Sequence, residues 1–306
     1  MSKKALYLLG ILLTIFLGTV LYNSLCATCC AEEEIVEETM VIEEPVAATM
    51  NPFLVNDSNG DLNINVNDNI NFKVSGISIL QPVSQKVENG IDSLKRYLGA
   101  YPLKTLKITG YYTSDEINNS AFPNLGLARA NAVKNYFVSK GMSSRQIDTF
   151  GELNDTLVPD QDDVFYGPEA YEIVTREEGD ESHLEGLTLI AEDIKANPLV
   201  LYFDTAESSI NLSTEQREKV AKISRYLDKV DGAAITIVGH TDNTGNAESN
   251  MVLGQKRADF AKSYFIRNHI PESKITTISK GQTEPIADNT TDEGKAQNRR
   301  TIVTLN

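Results

Sequence analysis

Leu253-Gly254-Gln255-Lys256-Arg257-Ala258 restates, 128 positions later, the stretch Leu125-Gly126-Leu127-Ala128-Arg129-Ala130, and that echo decides how the chain is divided. The match extends outward in order. Arg96-Tyr97-Leu98 falls on Arg225-Tyr226-Leu227, Ile108-x-Gly110 on Ile237-x-Gly239, Lys134-x-Tyr136-Phe137 on Lys262-x-Tyr264-Phe265, and Gly151 on Gly281. Ordered matches at a nearly constant offset indicate a domain written twice, not a short solenoid repeat. The copies run from about 62 to 174 and from about 187 to 306, with an acidic connector containing Gly179 between them.

The second copy gives the clearer pattern. Residues 199–203 form an apolar run of strand length, and Ser213 with Gln216 makes a capping box before a helix. Val220, Ile223, Leu227 and Val230 recur at spacings of three and four, as an amphipathic helix requires. A strand over 233–238, a helix over about 249–268 that buries Leu253, Ala258, Ala261 and Phe265, and strands over 274–279 and 300–305 complete a βαβαββ order. Two helices on one face of a small sheet make an α/β sandwich.

Composition narrows the function. The 306 residues are 41% apolar and 23% charged, ordinary for a folded chain. A formal net charge of −15 without any Lys/Arg-rich stretch excludes a nucleic-acid partner. Three cysteines, Cys26, Cys29 and Cys30, lie together near the start, so the two copies fold without disulfides or thiolate metal sites. Residues 57–63 superficially suggest a calcium loop, but Gly60 sits at position 4 instead of 6, and a polar turn is expected.

The first 55 residues set the compartment. Lys3 and Lys4 precede an uncharged, mostly apolar run over 5–22, long enough at 1.5 Å per residue to cover roughly 27 Å of bilayer. An uncleaved anchor is the first reading; cleavage after Ala31 is the second and lipidation the third. The two lysines place the N-terminus in the cytoplasm and the rest outside it. The cysteine cluster offers cross-links for a homodimer through Cys26, Cys29 or Cys30. Seven glutamates without a basic residue over 32–44 read as a solvated linker. The expected division is an anchor and cysteine cluster over 1–31, a linker over 32–55, a domain over 56–176, a second linker over 177–186, and a domain over 187–306.

Three ordered blocks carry a family resemblance: Gly239-His240-Thr241-Asp242-Asn243-Thr244-Gly245; Asn250-x-x-Leu253-Gly254-Gln255-x-Arg257-Ala258; and Asn289-x-Thr291-x-Glu293-Gly294-x-x-x-Asn298-Arg299-Arg300. They resemble the signature of the OmpA-like peptidoglycan-binding domain and span essentially the whole second copy. Together with the duplication and the apolar run over 5–22, the resemblance gives the expected fold: α/β class, two tandem βαβαββ OmpA-like sandwiches behind a single N-terminal transmembrane helix. It also implies noncovalent capture of the diaminopimelate of the peptidoglycan stem by Asp242 and Arg257. The chemistry agrees: the free end of diaminopimelate carries an ammonium, which a carboxylate accepts, and a carboxylate, which a guanidinium clasps through two parallel hydrogen bonds. A mutual Asp242–Arg257 salt bridge is the structural alternative. Thr241, Asn243, Asn250, Leu253 and Asp204 fill supporting positions, and Asn298, Arg299 and Arg300 are read first as a brace at the last strand and second as a source of cleft electrostatics.

The first copy departs at the decisive residues. Gly110-Tyr111-Tyr112-Thr113-Ser114 replaces the Gly-His-Thr-Asp-Asn block, and Glu169-Ala170-Tyr171 is aligned with Asn298-Arg299-Arg300. Arg129 survives as the degenerate equivalent of Arg257, with Asp115 the nearest substitute anion. No nucleophile or metal motif accompanies the three histidines, so neither an enzyme nor a cofactor is expected. The reading is a noncatalytic bacterial envelope protein with periplasmic C-terminal domains, single-pass in the inner membrane first and the outer membrane second. A stator-like or secretion-system component is the alternative, and an ion-coupled stator would need an ionisable residue in the span 5–22, which has none.

Overall fold

The computed structural model describes residues 3–25, 47–177, 179, 182–267 and 270–306. The cysteine cluster, the glutamate run and His269 lie outside the described residues. The chain separates into two compact units, 1–46 and 47–306.

The described residues of the first unit form α1 (Lys3–Leu25). Its side chains are described from Gly10 to Ser24. Ile11, Leu12, Leu13, Phe16, Leu17 and Val20 are exposed on all its sides. Among the described residues no helix is long and apolar enough to cross a membrane.

The second unit is mixed α/β and contains two hydrophobic cores. Its N-terminal half runs β1 (Phe53–Asn56), β2 (Asn63–Val66), β3 (Asn71–Lys73), α2 (Gln85–Ala100), β4 (Lys104–Tyr112), α3 (Leu125–Ser139), β5 (Ile147–Leu153), β6 (Val164–Tyr166) and β7 (Glu169–Thr175). β4 lies centrally in a three-stranded sheet, parallel to β5 and antiparallel to β7, while β1 pairs with β2 and β3 with β6. The C-terminal half runs α4 (Ser182–Ala196), β8 (Leu199–Tyr202), α5 (Thr214–Lys229), β9 (Ile235–His240), α6 (Ala247–Arg267), β10 (Ile275–Gly281), α7 (Asp292–Asn298) and β11 (Arg300–Leu305). Its sheet has the order β10-β9-β11-β8.

Local rules account for the elements. Ser213 and Gln216 form the reciprocal capping box that starts α5, whose Val220, Ile223 and Leu227 are buried. Asn124 caps α3 by accepting the Leu127 amide. Where α6 crosses β9, a Cβ on Gly239 would stand 1.9 Å from the Gly254 carbonyl oxygen; a Cβ on Gly110 would stand 2.1 Å from that of Gly126. Only glycine permits this backbone approach, which presses each helix onto its central strand.

Three expectations need correction. The linker expected over 32–55 ends earlier, because β1 buries Phe53 and Val55 completely in the first core. The expected connector 177–186 runs into α4, whose Ala191 and Ile194 bury in the second core and whose Leu187 is also buried. The alignment of Glu169 with Asn298 is displaced: Glu169 pairs with Gly110 in β4 as Thr301 pairs with Gly239 in β9, so Gly167 and Pro168 occupy the places of Arg299 and Arg300.

Candidate functional site

The site forms where β9 ends and α6 begins. Arg257 projects from α6 and has no exposed surface. Its guanidinium is held by three backbone carbonyls: Nε donates to Glu207 (2.8 Å), Nη1 to His240 (3.0 Å) and Nη2 to Asp204 (3.1 Å). Phe203 packs its ring 5.2 Å beneath it. Burial pushes the Arg257 guanidinium down to about 10, with Asp242 pulling the other way and Arg299 adding repulsion. It stays charged at neutral pH.

Asp242 follows β9 and is buried. One oxygen accepts the Thr244 amide (2.9 Å), and the other pairs with Arg299 Nη1 (3.0 Å). Burial alone would raise its carboxyl; the Thr244 amide and Arg299 outweigh that and hold it below the usual carboxylate range. The structure thus pairs Asp242 with Arg299, while Arg257 lies close enough to feel its charge and is tied to main-chain oxygens.

The remaining residues are structural in different ways. Asn250 is buried and donates to the carbonyls of Asp242 (3.3 Å) and Thr244 (3.1 Å), shaping the loop. Thr241 is buried, with its amide on the Gly281 carbonyl and its hydroxyl on the Asp242 carbonyl. Asn243 is exposed, and its amide reaches the Asn289 side chain. Leu253 is half-buried on α6, and Asp204 contributes its carbonyl to Arg257 while its side chain is exposed. Fully buried Asn298 accepts the Ile286 and Ala287 amides and donates to the Ala287 carbonyl, a brace for the loop before α7. Arg300 donates to the carbonyls of Glu284 and Asn298. His240 is buried with Nδ1 unpartnered among the described residues; burial first and Arg300 second push it down to about 4, so it is neutral.

The N-terminal half repeats this cradle almost atom for atom. Arg129 donates Nε to the Gly76 carbonyl (3.0 Å), Nη1 to Tyr111 (2.9 Å) and Nη2 to Lys73 (3.3 Å). These positions correspond to Glu207, His240 and Asp204 around Arg257. A guanidinium has five N–H donors, so two remain in each cradle. In the N-terminal half both are taken by the Glu116 carboxylate, and this pair has no exposed surface. The same carboxylate accepts the amides of Ser75 (2.7 Å) and Thr113 (3.0 Å). Asp115, the expected substitute anion, is exposed and plays no part in it.

The amide positions correspond as well. Ser75 (φ 57°) and Ala206 (φ 62°) occupy the same left-handed turn, and Thr113 and Asp242 the same place after the central strand. Around Arg257 no carboxylate of the described residues takes the place of Glu116. The Ala206 and Asp242 amides have no partner among the described residues, nor do the last two guanidinium N–H groups. Two guanidinium and two amide donors therefore converge where the N-terminal half holds a carboxylate. Sequence reasoning missed Glu116 and these amides; the signal it had was a glutamate thirteen residues before the arginine, present only in the first copy.

Comparison with known proteins gives one family. The OmpA family description matches residues 72–163 and 202–299. The chain is 39% identical over 98 residues to the probable lipoprotein YiaD of Escherichia coli, covering 32% of this chain and 45% of that protein. It is 33% identical over 106 residues to the peptidoglycan-associated lipoprotein of Brucella melitensis, covering 35% and 62%. The match thus covers less than two thirds of either relative. Among solved structures it resembles the peptidoglycan-associated lipoprotein of Burkholderia pseudomallei at 27% identity, with a TM-score of 0.32, over 35% of this chain and 89% of that one. It also resembles the cell wall anchor of the T6SS from Pseudomonas aeruginosa at 28% identity, with a TM-score of 0.29, over 39% and 93%.

Proposed function

The chain belongs to the OmpA family, and on that premise we propose that it is a noncatalytic envelope protein that grips peptidoglycan through its C-terminal half. Its target is the diaminopimelate of the stem peptide. The observation that supports this reading most is the pair of cradles: Glu116 marks, in one, the place that a ligand carboxylate takes in the other. There the carboxylate receives two N–H bonds from Arg257 and the Ala206 and Asp242 amides. The ammonium on the same carbon goes to the Asp242 carboxylate, which has acceptor capacity beyond its bonds to Thr244 and Arg299. A zwitterion so held has both charges matched in a site screened from water, where charge-assisted bonds are strongest.

Because Arg257 is fully buried, entry requires the exposed connection 204–207, which supplies two of the three carbonyls, to swing aside. The name of one matched relative, a peptidoglycan-associated lipoprotein, favours the same substrate. The apolar side chains exposed around α1 favour a membrane as the other attachment, with the acidic segment as the tether between them. Many weak grips on a lattice then act multivalently.

Co-sedimentation of residues 47–306 with purified peptidoglycan tests the reading. The protein is expected in the pellet, Asp242→Ala in the supernatant, and free diaminopimelate, but not cadaverine, should release the wild type. Equal release by cadaverine, which has the ammonium without the carboxylate, would refute the site.

A further inference from the structure

The Glu116–Arg129 arrangement goes beyond wall binding. We propose that the Arg129 cradle is a functioning carboxylate receptor whose ligand is the chain's own Glu116, and that it accepts a small free carboxylate when that side chain is cut back. The cradle is built for such a group. Its guanidinium is positioned by three carbonyls before any carboxylate arrives, with the rings of Phe72 and Phe165 5.8 Å and 5.3 Å away. Four N–H donors, two from Arg129 and the amides of Ser75 and Thr113, then converge on one carboxylate. Nothing in this set depends on the carboxylate being attached to residue 116. The covalent link supplies high effective concentration and nothing else.

The internal ligand has a mechanical task. Glu116 lies in the segment between β4 and α3, and the far end of that segment docks on the C-terminal half. Ser120, Ala121 and Phe122 are all buried, and Ala121 belongs to the core that contains Phe203 and Phe265. The Ser120 carbonyl accepts the Tyr264 hydroxyl (3.1 Å) and the Asn118 carbonyl accepts Arg217 Nη1 (2.8 Å). A loop that in the C-terminal half borders the wall site therefore serves, in the N-terminal half, as a strap between the two halves, clipped at one end by Glu116.

Chemical rescue tests this directly. In residues 47–306, Glu116→Ala removes a CH2–COO fragment, the same heavy atoms that acetate carries. The expected result is a lower Tm and amide exchange at residues 113–122 accelerated at least tenfold, with both restored by 100 mM acetate or formate and neither by chloride at equal ionic strength or by acetamide. Failure of the carboxylates to restore exchange would overturn the proposal. Glu116→Gln fills the space without the charge: it is expected to lose stability and to show no rescue, and wild-type stability in this variant would equally overturn it, even if Glu116→Ala does not fold. The readout is independent of peptidoglycan, so it stands or falls separately from the assignment of Asp242 and Arg257.

Discussion

The two arginine cradles share a scaffold and differ in who supplies the anion. Around Arg129 the chain completes its own site with Glu116; around Arg257 the corresponding donors face no carboxylate of the described residues, and Asp242 stands beside them. The comparison teaches that loss of a family motif need not leave a hole. A buried guanidinium without an anion is costly, and a degenerate copy stays folded by internalising one.

The strongest way to break the comparison is a matched substitution. Arg257→Lys keeps a charge but loses the fork, and is expected to weaken peptidoglycan pelleting by at least about 30-fold, since removing one partner of a buried charge pair costs about 2 to 5 kcal/mol of binding. Arg129→Lys should lower Tm and leave pelleting unchanged. Loss of pelleting in Arg129→Lys would mean the two cradles are not independent in function.

A second contrast lies in two buried groups of opposite sign. His240 is neutral in the fold, whereas the unfolded imidazole binds a proton below about 6.5. Stability from this source is therefore full above pH 6.5 and falls as pH drops toward 4, by no more than roughly 3 kcal/mol. Glu169 in the N-terminal half is buried with both oxygens unpartnered among the described residues, and burial holds its carboxyl well above 4.5. Its contribution is full below pH 4.5 and is lost as pH rises. Denaturant titrations across pH 4 to 8 should show His240→Asn flattening the acid limb and Glu169→Gln flattening the opposite one; identical profiles in the two variants would contradict the assignment.

Smaller effects sharpen the picture. Arg299→Ala removes one of the partners that, after the Thr244 amide, hold the Asp242 carboxyl low, so the pH below which pelleting fails should move upward, with affinity at pH 7 reduced several-fold. Tyr264→Phe deletes the hydroxyl on the Ser120 carbonyl and should cost about 1 kcal/mol of stability, measured by urea titration.

Much of the frame was legible because it rests on glycine and on period. Gly126 and Gly254 announce a helix pressed on a strand, and the spacing of Val220, Ile223 and Leu227 announces a buried face. β1 was lost inside an apparent linker because Phe53-Leu54-Val55 is too short a run to signal a strand alone. α4 was hidden by its acidic neighbourhood, although Leu187, Ala191 and Ile194 carry helical spacing. The Asp242–Arg299 pair was illegible because the partners lie 57 residues apart and meet only when β11 aligns beside β9. The three-residue displacement of Glu169 likewise belongs to strand register, which identity matching does not see.

The contact between Gly239 and Gly254 has one more implication. It sets how deep α6 sits, and Arg257 follows three residues on, so the depth of the charged fork is gauged by two hydrogen atoms in place of side chains. Adding one methyl there would lift the helix and draw the guanidinium away from its three oxygens without altering a single charge.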